Sequence, residues 1–222
     1  MMDMNLQLFG GRGSSSSGGT GGGATGGISE SDIVSRTSLI SEREGSQVLV
    51  DETMDVFKDV FDEYGTIVDD IQLATLKGAG MSALAFYDGS NIAVNKAFFN
   101  ENMTKAYDAC VKSGFHPSKG NKTAMQAVVA HELGHKLTAD VGVKMGKNGW
   151  TDFDSIASSI MKEAKKGTKH RKNSDLAKKI SGYAKESNAE AIAEAFADVF
   201  CNGKKAKSES KAVVNVINKY LK

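Results

Sequence analysis

The feature that most constrains this chain is His131-Glu132-Leu133-Gly134-His135, set in MQAVVAHELGHKL. The chain has only 4 histidines, and two of them stand here at i and i+4. The residues before them, Ala124 to Ala130, suit a helix, and Val128 and Val129 give it an apolar face. On a helix, positions four apart lie on one side about one turn from each other. Both imidazoles can therefore reach a single divalent cation, and neutral imidazole suits Zn²⁺ at roughly 2.0–2.1 Å. Glu132 projects beside such a cation, where a carboxylate can take a proton from water. Gly134 allows another segment to approach closely. A pair of imidazoles is an incomplete site, so the fold must bring a third ligand from elsewhere and leave one position open.

The source of that ligand is the stretch 188–198, NAEAIAEAFAD, in which Glu190, Glu194 and Asp198 recur every four residues among alanines. Like charges at that spacing repel, and a cation among them relieves the repulsion. Otherwise such a row is a solvated face opposite the apolar stripe of Ile192, Phe196, Val199 and Phe200. The residues leave two registers open. In one, Glu190 is the ligand and Glu194 accepts a histidine N–H one turn later. In the other, Glu194 is the ligand and Asp198 stands behind it, as in the Glu-x-x-x-Asp pattern of thermolysin-like gluzincins.

Around these motifs the periodicity is helical from about Gln47, with Gly65 as a stop. Three strand-like runs follow at 67–76, 82–87 and 91–97, and Asp88-Gly89-Ser90 between the last two signals a hairpin. Helical patterns then occupy 102–113, 123–138, 152–165, 188–201 and 208–221. Strands first and helices afterwards predict an α+β domain, a small sheet followed by a helical region, over 46–222. Residues 1–45 are read as a flexible segment, because 10–28 are nearly all Gly, Ser and Thr. Of the 222 residues 40% are hydrophobic and 25% charged, which excludes both wholesale disorder and a membrane protein. With 28 basic and 27 acidic residues the net charge is +1, so nothing global points to nucleic acid or an anionic membrane. The basic stretch 162–179 lacks the interleaved aromatics of a single-strand binder and is read as solvated surface. Cys110 and Cys201 have no metal-site spacing with each other and are expected to be buried thiols.

The segment Tyr183-Ala-Lys-Glu-Ser-Asn-Ala-Glu190, followed by Ala-Ile-Ala-Glu194-Ala-Phe, resembles the lethal-factor-like gluzincins, which include the Pro-Pro endopeptidases. There a His-Glu-x-x-His helix is followed some tens of residues later by a Tyr, and seven residues after it by the third zinc ligand, a Glu. The resemblance covers roughly 45–222 and is specific at 131–135 and 183–197. It implies a zincin-like metalloprotease fold and zinc-dependent endopeptidase activity on a polypeptide substrate. His131, His135 and Glu190 would bind Zn²⁺, and Glu132 would activate water. Tyr183 would donate its phenol to the oxyanion, and Glu194 would orient a ligand from behind. In zincins an edge strand above the metal helix pairs with extended substrate, and residues 91–97 are the expected strand. The opening MNLQLFGGRG resembles the starts of phage structural and phage-associated proteins of Gram-positive bacteria. With no signal peptide seen, that implies a cytoplasmic or virion-associated place and association with phage structural proteins. It also supplies the alternative expectation, a phage or mobile-element structural protein whose peptidase-like domain is accessory or inactive.

Overall fold

The computed structural model describes residues 40–76, 83–99 and 101–222. The Gly/Ser-rich stretch and the opening segment lie outside the described residues. The described fold begins with β1 (Ile40–Glu42), ahead of the boundary expected after residue 45, and β1 runs directly into α1 (Arg43–Tyr64). Gly65 ends that helix as expected. It adopts a φ of +65°, and its N–H bonds to the Phe61 carbonyl at 2.7 Å, the left-handed stop that glycine adopts without steric cost.

Three further strands complete the sheet: β2 (Asp70–Thr75), β3 (Ala85–Tyr87) and β4 (Asn91–Asn95). The Asp88 carboxylate makes the β3–β4 turn by accepting the backbone N–H groups of Ser90 at 2.9 Å and Asn91 at 2.7 Å. The two strands pair antiparallel with Phe86 opposite Ala93. The strand order is β1-β2-β4-β3, with β2 parallel to β4 and β1 antiparallel to β2. One expectation is corrected here. The 91–97 strand is interior, hydrogen-bonded on both sides, and among the described residues the edge beside the helices is β3. The hairpin folds back outward, so its first strand takes the edge position.

Six helices follow: α2 (Glu101–Ser113), α3 (Ala124–Lys144), α4 (Phe153–Lys166), α5 (Asn173–Ile180), α6 (Asn188–Asn202) and α7 (Ser208–Leu221). A small mixed sheet with a larger helical body makes the chain α+β. Thr123 starts α3 with a reciprocal cap. Its Oγ1 accepts the Gln126 N–H at 3.1 Å, and the Gln126 Oε1 accepts the Thr123 N–H at 3.0 Å. Helices α3 and α6 lie against one another at the centre, with β3 and α1 over one side of α3 and with α4 and α7 flanking α6. Their approach is close enough that a Cβ on Gly134 would stand 2.7 Å from the Ala193 Cα. All ten residues from Ala189 to Asp198 are buried, so the acid row is not a solvated face. Helix α5 falls in the lysine-rich stretch and buries Leu176, Ala177 and Ile180. Among the described residues no helix is long and apolar enough to cross a membrane.

Candidate metal centre

Helix α3 presents His131 and His135 on one face, their ring centroids 5.0 Å apart and nearly perpendicular. Opposite them, α6 presents Glu190 from its first turn. That helix start is fixed by Ser187, whose Oγ accepts the Glu190 N–H at 3.0 Å. The Glu190 carboxylate lies between the two imidazoles, with Oε2 3.1 Å from His131 Nε2 and Oε1 3.7 Å from His135 Nε2. One ligand atom from each of the three falls within 4.8 Å of the others. Tetrahedral ligands at roughly 2.0–2.1 Å from an ion stand about 3.3–3.4 Å from each other, and the observed separations bracket that spacing.

The surroundings fit a cation. His131, Glu132, His135 and Glu190 are all at most 1% exposed. The carboxylate oxygens of Glu132 and Glu190 and both ring nitrogens of His135 make no well-formed hydrogen bond. Buried polar atoms left so cost free energy, and a divalent ion would satisfy the Glu190 carboxylate and one ring nitrogen of His135. The buried group His131, His135 and Glu190 could hold a metal ion.

The electrostatics sort these residues by role. Burial pushes His135 well below its ordinary range, and His131 adds to that, so its ring is neutral and its lone pair is available. Burial pulls His131 down as well, but the Glu190 and Glu194 carboxylates outweigh it and raise its pKa to about 10. The raised value marks a place where positive charge is favoured between carboxylates. Burial raises Glu190. It also lifts Glu132 to about 8, with Glu190 contributing and His131 opposing. A carboxyl in that range can exchange a proton near neutral pH.

Glu194 lies behind His131, away from Glu190. Its Oε1 is 2.9 Å from His131 Nδ1, and its Oε2 accepts the Ser181 hydroxyl at 2.7 Å. Burial would raise this carboxyl, but His116 and His131 bring it down to about 2, so it is ionised. Asp198 instead accepts the Asn202 side-chain amide at 2.9 Å and the Lys207 N–H at 3.0 Å, closing the end of α6. The arrangement is therefore that of the Glu190 register, not the one built on Glu194 with Asp198 behind it. Tyr183 sits in a 3₁₀ turn before α6, buried, with its ring centroid 6.0 Å from that of His131. Its backbone N–H bonds to the Phe115 carbonyl at 2.9 Å.

Two residues of this cluster carry no motif, His116 and Ser181. His116 Nδ1 lies 3.0 and 3.1 Å from the two oxygens of Glu194. The only signal in the sequence is that His116 is one of 4 histidines and stands before the single proline, Pro117.

Comparison with known proteins returns no match: no family model fits the chain, and no curated protein or solved structure is found to be similar to it.

Proposed function

We propose that this chain is a zinc-dependent endopeptidase with a zincin-like active site. The observation that carries the reading is the convergence of His131, His135 and Glu190 from two separate helices, with Glu132 buried beside them. Two nitrogens and one carboxylate are the ligand type of catalytic Zn²⁺, although affinity order alone would also admit cobalt or nickel. When bound, the ion would supply Lewis acidity toward a scissile carbonyl and toward water. Glu132 takes the proton from that water and returns it to the leaving amine. Tyr183 donates its phenol to the developing oxyanion, the role that the resemblance to the lethal-factor-like gluzincins implies. Glu194 holds His131 Nδ1–H and so keeps Nε2 for the ion. An extended polypeptide adds to the edge of the sheet at β3, whose Tyr87 backbone lies against Glu132.

One observation favours a second reading. The ligands and Glu132 are almost fully buried, which also suits a structural metal site in an accessory or inactive peptidase-like domain. Metal content and peptide-library cleavage, measured on wild type and Glu132→Gln, decide between them. The enzyme reading expects about one equivalent of zinc in both proteins and cleavage only in wild type. Zinc in both with cleavage in neither leaves the accessory reading. Wild-type protein that takes up no zinc removes both.

A further inference from the structure

We propose that His116 is a positioning residue for the metal centre, clamping Glu194 so that Glu194 fixes the ring of His131. The proposal rests on the metal-site reading above and extends it outward by one residue. For His131 to bind an ion through Nε2, Nδ1 must carry its proton and donate it to a fixed acceptor. The acceptor is Glu194, a side chain with three torsions that must itself be held in place.

Two groups besides His131 hold it. Ser181 donates to Oε2 at 2.7 Å, and His116 Nδ1 lies across both oxygens at 3.0 and 3.1 Å. An ionised carboxylate has about four acceptor sites, and buried ones must be filled. Glu194 is 1% exposed, so no bulk water replaces a lost donor there.

His116 is in turn locked by packing. Tyr107 stacks on its ring at 5.6 Å with 9° between planes, and Phe115 and Tyr183 meet it edge-on at 5.1 and 5.4 Å. The Tyr107 hydroxyl donates to the Pro117 carbonyl at 3.2 Å, pinning the loop beside the stack. Gly182 and Tyr183 donate their N–H groups to the carbonyls of Gly114 and Phe115, each at 2.9 Å. His116 thus joins the loop after α2, the turn that carries Tyr183, and α6 at one carboxylate. Packing alone needs a ring at this position. The approach of Nδ1 to both carboxylate oxygens needs a donor.

The test separates ring from donor. His116→Phe keeps an aromatic ring in the stack and removes the N–H, whereas His116→Asn gives up the ring and places an amide N–H near the position of Nδ1. Zinc affinity is read by competition with a chromophoric chelator, and folding by far-ultraviolet circular dichroism and metal-free melting. The expected result is about a 10–100-fold loss of affinity in His116→Phe, the usual scale for an outer partner of a metal-bound histidine, with most of it restored in His116→Asn. If His116→Phe fails to fold, His116→Leu is compared with His116→Asn in the same way. Unchanged affinity in a folded variant lacking the donor overturns the positioning role and leaves the metal site standing. Absence of zinc from the wild type overturns both.

Discussion

The contact between α3 and α6 at Gly134 sets how far apart the histidines and Glu190 can stand, and Gly134→Ala tests it. A Cβ there would lie 2.7 Å from the Ala193 Cα, 3.3 Å from the Ala193 carbonyl oxygen and 3.3 Å from the Phe196 Cβ. The nearest obstacle is backbone, so no rotamer change relieves it. Reaching an ordinary contact of roughly 3.5 Å requires the helices to separate by about 0.8 Å, since carbon atoms attract best at roughly 3.5–4.0 Å. Overpacking of this kind costs about 1–3 kcal/mol. The better helix propensity of alanine returns about 1 kcal/mol, leaving a net destabilisation of up to about 2 kcal/mol. At roughly 2–4 °C per kcal/mol for a chain of this size, the melting temperature falls by up to about 8 °C. The effect on the site is larger in proportion. Glu190 lies one turn before Ala193, and a shift of about 0.8 Å is several times the roughly 0.2 Å tolerance of a metal–ligand distance. Thermal melts in chelator and chelator competition for zinc read the two effects separately. A Gly134→Ala protein that melts with the wild type and binds zinc equally well would refute the claim that this glycine sets the ligand spacing.

Four further predictions follow from named groups. Glu190→Gln loses the bound equivalent of zinc, whereas Glu194→Gln keeps the stoichiometry with weaker affinity. The reverse pattern by elemental analysis and competition would restore the Glu194 register. In chelator, Glu132→Gln gains stability over wild type at pH 8 but not at pH 4. The folded pKa of Glu132 is about 8 against an ordinary 4.5, so the folded state holds that proton more tightly and wild type loses stability as pH climbs through this window. Urea midpoints at the two pH values that shift in parallel would contradict it. Cys201 resists alkylation at pH 8 in the folded protein, because burial raises its thiol from 9.0 to about 12 and reduces the reactive thiolate about a thousandfold. The same burial raises Tyr107 and Tyr64. Stability held while these groups are protonated is therefore lost as pH rises above about 9–10, their unfolded range, and a flat alkaline melting curve would count against it.

What the sequence made legible follows from how local each signal is. The helices of the second half announce themselves by apolar spacing, and the hairpin by Asp88-Gly89-Ser90, because a turn and a periodic face are decided within a few residues. The two imidazoles and Glu132 were legible for the same reason, being fixed by one helix. Glu190 could be narrowed to a choice of registers and no further from spacing alone. Residues 190 and 194 are both compatible with a buried stripe, and only the angle at which α6 meets α3 puts one before His131 and the other behind it. The same limit hid the strand order. Residues 85–87 and 91–95 are equally good strands, and which one is the edge depends on β2 pairing parallel with β4, a long-range event. His116 was the hardest case. It lies in a loop, 78 residues from Glu194, with no period to mark its face. Its partner is set by the Gly182 and Tyr183 backbone bonds that lay the two loops side by side. Helix α5 was obscured for a compositional reason. Lys178, Lys179 and the lysines before it dominate the stretch, while Leu176, Ala177 and Ile180, spaced along one face, suffice to bury it. A chain can therefore declare candidate ligands that share one helix, since their spacing is local. It conceals the residues that hold them, since those need only share a place.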